Sequence, residues 1–219
     1  MEKIINELLS EKIVVIVRGI NREKLIPLAE SLYIGGIRFL EVTFSADGNI
    51  SDEETFEKIN DLSKHFCGKM HIGAGTVLTE NQVELTKLAG GEFIISPDTN
   101  ISVIKKTKEL GMLSMPGALT PSEIRQAHNA GADFVKLFPI SQLGADYVKA
   151  IKAPLSNIRF LAVGGINYDN MSDYLKAGVC GFGIGTNIVD KKLIDMGDYD
   201  AITRLAQRYV AMFKGIAII

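Results

Sequence analysis

Eight short β-branched runs, each followed by a segment with helical spacing, recur along this chain at intervals of roughly 20 to 35 residues. The runs are IVVIVRG (13–19), IRFLEVTF (37–44), HIGAGTV (71–77), FIISP (93–97), LSMPGA (113–118), FVKLFP (134–139), IRFLAVGGI (158–166) and GFGIGTNI (181–188). Most are continuously apolar rather than alternating, which fits parallel strands covered on both faces. Helix punctuation lies between them. SDEE (51–54), TENQ (79–82) and TPSE (120–123) have the form of capping boxes, and Pro121 would take the first helical position, where its missing N–H costs nothing. Gly36, Gly91, Gly111, Gly131 and Gly178 stand where a helix would end just before the next run, as left-handed C-caps. The pattern predicts an α/β fold. Eight units without a break close naturally into a (β/α)8 TIM barrel, preceded by a short helix over residues 2–10. An open doubly wound sheet is the alternative arrangement. No linker-like or low-complexity stretch divides the chain, so residues 1–219 are expected to form one barrel domain.

Composition narrows the function classes. Of 219 residues, 47% are hydrophobic and 23% charged, the balance of a soluble protein able to bury a sizeable core. Twenty-four basic residues against 26 acidic ones give a formal charge of −2, so no basic field points to nucleic acid. The opening MEKIINELLSEK lacks a signal peptide's apolar core, and no apolar run approaches the ~20 residues that span a bilayer. Cys67 and Cys180 stand far apart with no metal-type spacing. A reduced, cytoplasmic setting is therefore expected. His65, His71 and His128 read as structural or solvated, with His71 opening a strand at the rim opposite the chemistry. The terminal GIAII is apolar enough to dock on a neighbour.

In such a barrel, chemistry collects at the C-terminal ends of the strands. Those ends read Arg18, Glu41 with Thr43, Thr76, Pro97, Lys136, Gly164 with Gly165, and Gly185 with Thr186. Side chains alternate along a strand, so Phe134, Lys136 and Phe138 share one face. An inward Lys136 would stand between aromatic rings in the barrel mouth. At pH 7 an unperturbed lysine, with pKa ~10.4, offers only about four parts in ten thousand as free amine. Desolvation, helped by a cation such as Arg18, would raise that fraction and make the amine a nucleophile for a carbonyl carbon. Taken alone, Lys136 reads equally well as a snorkelling or ion-paired side chain. Glu41, in FLEVTF, is a second ionisable group in a strand too apolar for it. A carboxylate facing the amine could relay the protons that Schiff-base chemistry needs. As a direct counter-ion it would instead oppose a lowered lysine pKa.

IGAGTV (72–77) adds small residues that let backbone approach a ligand, and it ends in Thr76, a hydroxyl donor for a carboxylate. AVGGIN (162–167) and GIGTNI (183–188) bring glycines to the ends of the seventh and eighth expected strands. There Gly164, Gly165 and Gly185 would present backbone N–H groups, the next helix start its positive end, and Thr186 a hydroxyl to a phosphate. Glycine for tight turns explains either motif separately. GFGIGT has the wrong spacing for a dinucleotide fingerprint, and no cofactor is expected.

LEVTF, IGAGTV, ISPD, MPGALTPSE, VKLFP, AVGGIN and GIGTNI occur in this order. By these motifs the chain resembles, over nearly its whole length, the 2-keto-3-deoxy-6-phosphogluconate/4-hydroxy-2-oxoglutarate aldolases. The resemblance implies a class I aldolase on a (β/α)8 barrel, homotrimeric, working without a metal on a small keto-acid or phosphosugar-acid substrate. It makes Lys136 the Schiff-base lysine and Glu41 the proton-transfer residue, with Thr76 and Pro97 beside the pyruvate-derived part. Gly164, Gly165 and Thr186 match the phosphate site, and Arg18 matches an arginine present in some members. Several relatives carry an arginine four residues after the catalytic glutamate; here that position is Ser45, within FSADGN. Enzymes acting on the galactonate epimer share a similar altered loop, so that substrate stays open. Two other readings remain beside the aldolase: a phosphosugar isomerase or synthase without a covalent lysine, and a noncatalytic keto-acid sensor.

Overall fold

Parallel pairing organises every strand. The structure, a computed structural model, describes residues 1–214, so the GIAII end lies outside the described residues. Its strands are β1 (Ile13–Val17), β2 (Phe39–Thr43), β3 (His71–Gly75), β4 (Phe93–Ile95), β5 (Leu113–Met115), β6 (Gly117–Ala118), β7 (Val135–Leu137), β8 (Phe160–Val163) and β9 (Gly181–Ile184). They form one sheet in the order β5-β4-β3-β2-β1-β9-β8-β7-β6. Its two ends, β5 and β6, are successive pieces of the expected fifth strand, parted at Pro116, which has no N–H to give a ladder. One piece pairs with β4 and the other with β7, and Lys136 N–H donates to the Pro116 carbonyl (2.9 Å), so the barrel closes across the break. The eight expected strands are all present, the fifth in two parts, and the fold is the expected (β/α)8 barrel.

Helices cover the outside: α2 (Arg22–Ile34), α3 (Asp52–His65), α4 (Glu80–Leu88), α5 (Ile101–Glu109), α6 (Pro121–Asn129), α7 (Gly144–Lys152), α8 (Met171–Lys176), α9 (Lys191–Met196) and α10 (Tyr199–Lys214). Ser51, Thr79 and Thr120 cap α3, α4 and α6 as the sequence predicts, each accepting a backbone N–H three residues on. Only Thr120 and Glu123 make the reciprocal box. Glu54 turns instead to Lys58 Nζ (2.6 Å), and Gln82 Oε1 accepts from Leu78 N–H (2.8 Å). The left-handed glycines at helix ends include Gly36, Gly111, Gly131 and Gly178, as expected. At LAGG it is Gly90 that takes positive φ; Gly91 is needed for closeness, because a Cβ there would fall 2.5 Å from Thr86 Cγ2.

Alternation divides the core in two. Val15, Leu40, Ile94, Val135 and Leu137 face outward beneath the helices, whereas Val14, Phe39, Phe93, Leu113, Met115, Phe134 and Leu161 fill the interior. The leading helix α1 (Glu2–Glu11) sends Ile4 and Leu8 into that interior cluster and so plugs the N-terminal end. His71, at the start of β3, pins it there: Nδ1 meets Glu92 Oε2 (2.9 Å) and Nε2 meets Glu7 of α1. Its pKa is raised, burial opposing but the two carboxylates prevailing. None of the described helices is long and apolar enough to cross a membrane.

Candidate active site

The filled interior ends one layer below the C-terminal rim. There β7 turns Lys136 inward between Phe134 and Phe138, with 7% of its surface exposed. Its Nζ lies 4.6 Å from the centre of the Phe138 ring. Glu41, from the middle of β2, is 2% exposed, and its Oε2 has no hydrogen-bond partner. Among the described residues the two make neither a hydrogen bond nor an ion pair with each other, which removes the simple counter-ion reading of Glu41.

Both groups titrate away from their ordinary values. Burial drives the Lys136 amine down, and the Arg18 charge adds to the effect while Glu41 opposes it. Burial drives the Glu41 carboxyl up, against the pull of Lys136 and Arg18. Each therefore sits closer to neutrality than it would in water. A lone pair on nitrogen beside a carboxyl able to carry a proton is what carbonyl addition requires.

Arg18 follows β1 and is exposed, with Nη2 donating to Thr76 Oγ1 (3.1 Å). Thr76 takes φ 55°, a left-handed conformation that a β-branched residue adopts only when its surroundings insist. That turn brings its hydroxyl to the rim beside Arg18. Pro97, after β4, presses its carbonyl oxygen so close to Gly117 that a Cβ there would fall 2.2 Å away. Gly117 is in turn the register partner of Lys136, so Pro97 borders the lysine's wall.

The glycines reach the same rim. Gly164 and Gly165 have φ of 93° and 73°, and Gly164 packs on Phe138, whose Cδ2 lies 3.3 Å from the position of a Cβ. Their carbonyls are taken by Ser141 N–H (3.2 Å) and Asn170 Nδ2 (2.9 Å). The N–H groups of Gly165 and Thr186 find no protein acceptor among the described residues. Gly185 and Thr186 follow β9, and Asn187 Nδ2 ties this turn to the neighbouring one by donating to Ile166 O (2.7 Å). The helix that follows the first glycine pair does not start there, contrary to the expectation from sequence that its positive end would serve this site. Residues 166–170 intervene before α8, so the free N–H groups belong to the turns themselves.

Two features went unseen in the sequence. The small residues of IGAGTV predict clearance for a ligand, but the inner faces of Gly73 and Gly75 are filled by the protein: a Cβ at Gly73 would meet the Phe93 ring and one at Gly75 the Glu41 carboxyl. Which neighbours take that space is set by the β2–β3 register, in which Gly73 pairs with Glu41 and Gly75 with Thr43. Ser141, packed on Gly165, had no signal beyond its nearness to Pro139. At the altered position, Ser45 and Asn49 both bond Asp47, closing the loop on itself without a cation.

A cavity of about 820 Å³ lies elsewhere, at the N-terminal rim around Glu7, His71 and Glu92. Its Glu7 and Glu92 are engaged by the histidine that holds α1, and none of the mouth residues lines it. The open mouth is the better candidate on chemical grounds.

The sequence profile of the KDPG and KHG aldolases matches residues 4–205. The 2-dehydro-3-deoxy-phosphogluconate aldolase of Haemophilus influenzae is 31% identical over 217 residues, 97% of this chain and 98% of its own. The 2-dehydro-3-deoxy-6-phosphogalactonate aldolase of Escherichia coli is 32% identical, over 80% of this chain and 83% of its own. A KDPG aldolase of Legionella pneumophila, solved with pyruvate captured as a covalent carbinolamine intermediate, superposes with a TM-score of 0.82 at 29% identity, covering 91% of this chain and 94% of that one. This chain therefore belongs to the KDPG and KHG aldolase family and is a carbon–carbon lyase.

Proposed function

We propose that this enzyme reversibly cleaves a 2-keto-3-deoxy-6-phospho sugar acid, 2-keto-3-deoxy-6-phosphogluconate or its nonphosphorylated relative 4-hydroxy-2-oxoglutarate, to pyruvate and an aldehyde. The observation that carries the reading is Lys136, buried among aromatic rings beside a carboxyl it does not touch. The Lys136 amine attacks the C2 carbonyl carbon, and loss of water leaves a protonated imine. Glu41, through a water, takes the C4 hydroxyl proton. The C3–C4 bond breaks, its electrons pass into the imine to give an enamine, and the aldehyde leaves. Glu41 returns the proton to C3, and hydrolysis frees pyruvate and the lysine. Arg18 and Thr76 hold the substrate carboxylate, with Pro97 against the pyruvate-derived carbons. The free N–H groups near Gly164, Gly165 and Gly185, with the Thr186 hydroxyl, hold the phosphate and fix C4 relative to the base.

A second reading concerns the epimer. The loop at Ser45 offers no cation to the substrate, and the galactonate-type relative is about as similar as the gluconate-type one. The homotrimer implied by the family resemblance stays part of this proposal. Exposed Leu78 and Ile101, neighbours through Asn100, offer apolar surface for it, and light scattering should give the mass of three chains.

Pyruvate with borohydride should leave a reduced covalent adduct on Lys136, located by peptide mass mapping. Its absence removes the mechanism in favour of a noncovalent phosphosugar enzyme. Lys136→Ala should fold and lose turnover by roughly 10⁴-fold. Rates on the gluconate- and galactonate-derived phosphorylated substrates and on hydroxyoxoglutarate decide specificity; the phosphorylated pair should be faster, and a large ratio between them identifies the epimer.

Burial of the amine also has a stability consequence. With the folded pKa lowered, the unfolded chain binds that proton more tightly, so the burden is full below the folded value and fades as pH rises toward ~10.4. Lys136→Met should therefore melt above the wild type at pH 7, by about 2–4 °C per kcal/mol relieved, with the gap narrowing toward pH 10.

A further inference from the structure

Gly75 closes β3 on the interior side of the barrel. Its φ is not in the left-handed region, so the backbone there would accept any residue. Space is what forbids one. A Cβ built on Gly75 falls 1.5 Å from Glu41 Oε1, 2.3 Å from its Cδ and 2.6 Å from its Cγ, and these are its three nearest neighbours. The register explains the overlap. Glu41 pairs with Gly73 and Thr43 with Gly75, so the Glu41 side chain leans along the strand toward the rim and lies over the next inward position of β3. At Gly73 the space goes to the Phe93 ring, a core side chain; at Gly75 it goes to a carboxyl with an unpartnered oxygen.

The geometry points to Gly75 as a positioning residue, whose missing side chain lets the Glu41 carboxyl lie flat against β3, near Lys136 but out of contact with it. This rests on the proton-transfer role proposed for Glu41. A β-carbon at position 75 would drive the carboxyl off the wall toward the barrel centre. There it would pair with the Lys136 ammonium and fill the space a keto acid needs. The pairing would hold the proton on the amine that must lose it.

The test is a cycle of Gly75→Ala, Glu41→Asp and their double variant, assayed by aldol cleavage and by the pH dependence of pyruvate–borohydride trapping. Gly75→Ala should lower kcat by about 10²-fold, the scale of a misplaced general acid–base group, and shift the trapping midpoint to higher pH. Glu41→Asp withdraws the carboxyl by one methylene. It should lower kcat in the wild-type background yet raise it at least about tenfold when added to Gly75→Ala. Equal loss from Glu41→Asp in both backgrounds, or Gly75→Ala with wild-type kcat and trapping profile, overturns the inference. Should Gly75→Ala be too unstable to assay, melting in the Glu41→Ala background decides. The alanine should then cost little stability, and an undiminished cost there overturns the assignment. Wild-type turnover in Glu41→Gln would overturn the proton-transfer reading itself. Loss in Glu41→Gln with no rescue in the double variant would overturn the positioning role alone.

Discussion

A barrel of eight strands encloses an interior just wide enough for its own side chains. That limit governs this molecule: whatever faces inward must be filled with protein or left out of the sequence. The lower layers are filled by Phe39, Phe93, Phe134, Leu113 and Met115, with Ile4 and Leu8 of α1 completing them. Near the rim, glycine stands instead at 75 in β3, at 117 in β6, at 164 and 165 after β8 and at 185 after β9. The first four make room for particular neighbours, the Glu41 carboxyl, the Pro97 carbonyl, the Phe138 ring and the Ser141 side chain, whereas a Cβ at Gly185 would make only ordinary contact with Ile16. The mouth is hollow because side chains have been withheld from it.

Into that hollow the fold places ionisable groups, and the same closeness that rigidifies the barrel shifts their titration. Burial alone would favour neutral Lys136 and neutral Glu41, and it prevails over their mutual attraction. Had they been in direct contact, Coulomb attraction at short range would have fixed both as ions. Separation within a shared, buried space is thus the condition on which the proposed nucleophilic role of Lys136 depends. The left-handed Thr76 stands on the same rim, where its hydroxyl accepts from Arg18 and the next N–H, that of Val77, donates to Ile95 O.

Much of this was legible in residue order. Period and punctuation gave eight β-α units, because buried parallel strands are apolar throughout and helix caps leave chemical signatures at Ser51, Thr79 and Thr120. Ionisable residues in greasy runs marked Glu41 and Lys136, and strand-end counting brought Arg18, Thr76 and Pro97 to one rim. The interruption at Pro116 shows in the sequence only as a proline within a β-run, since a break in one strand leaves the hydrophobic pattern intact. At Gly90 and Gly91 the helix end fixes which glycine turns left-handed, since the Gly91 N–H donates to Thr86 O and leaves Gly90 in the left-handed position. The clearances at Gly73 and Gly75 need the register between β2 and β3, a long-range fact that composition does not carry.

Because α1 stops the lower end and His71 bolts it to two acids, the barrel is a cup and not a tunnel. Under the proposed reaction, reactant, leaving fragment and hydrolytic water would share that one doorway. With the covalent bond to Lys136 at the deep end, the released fragment would have to depart before water reached the carbon still bonded there, so a dead end would by itself impose a sequence on turnover.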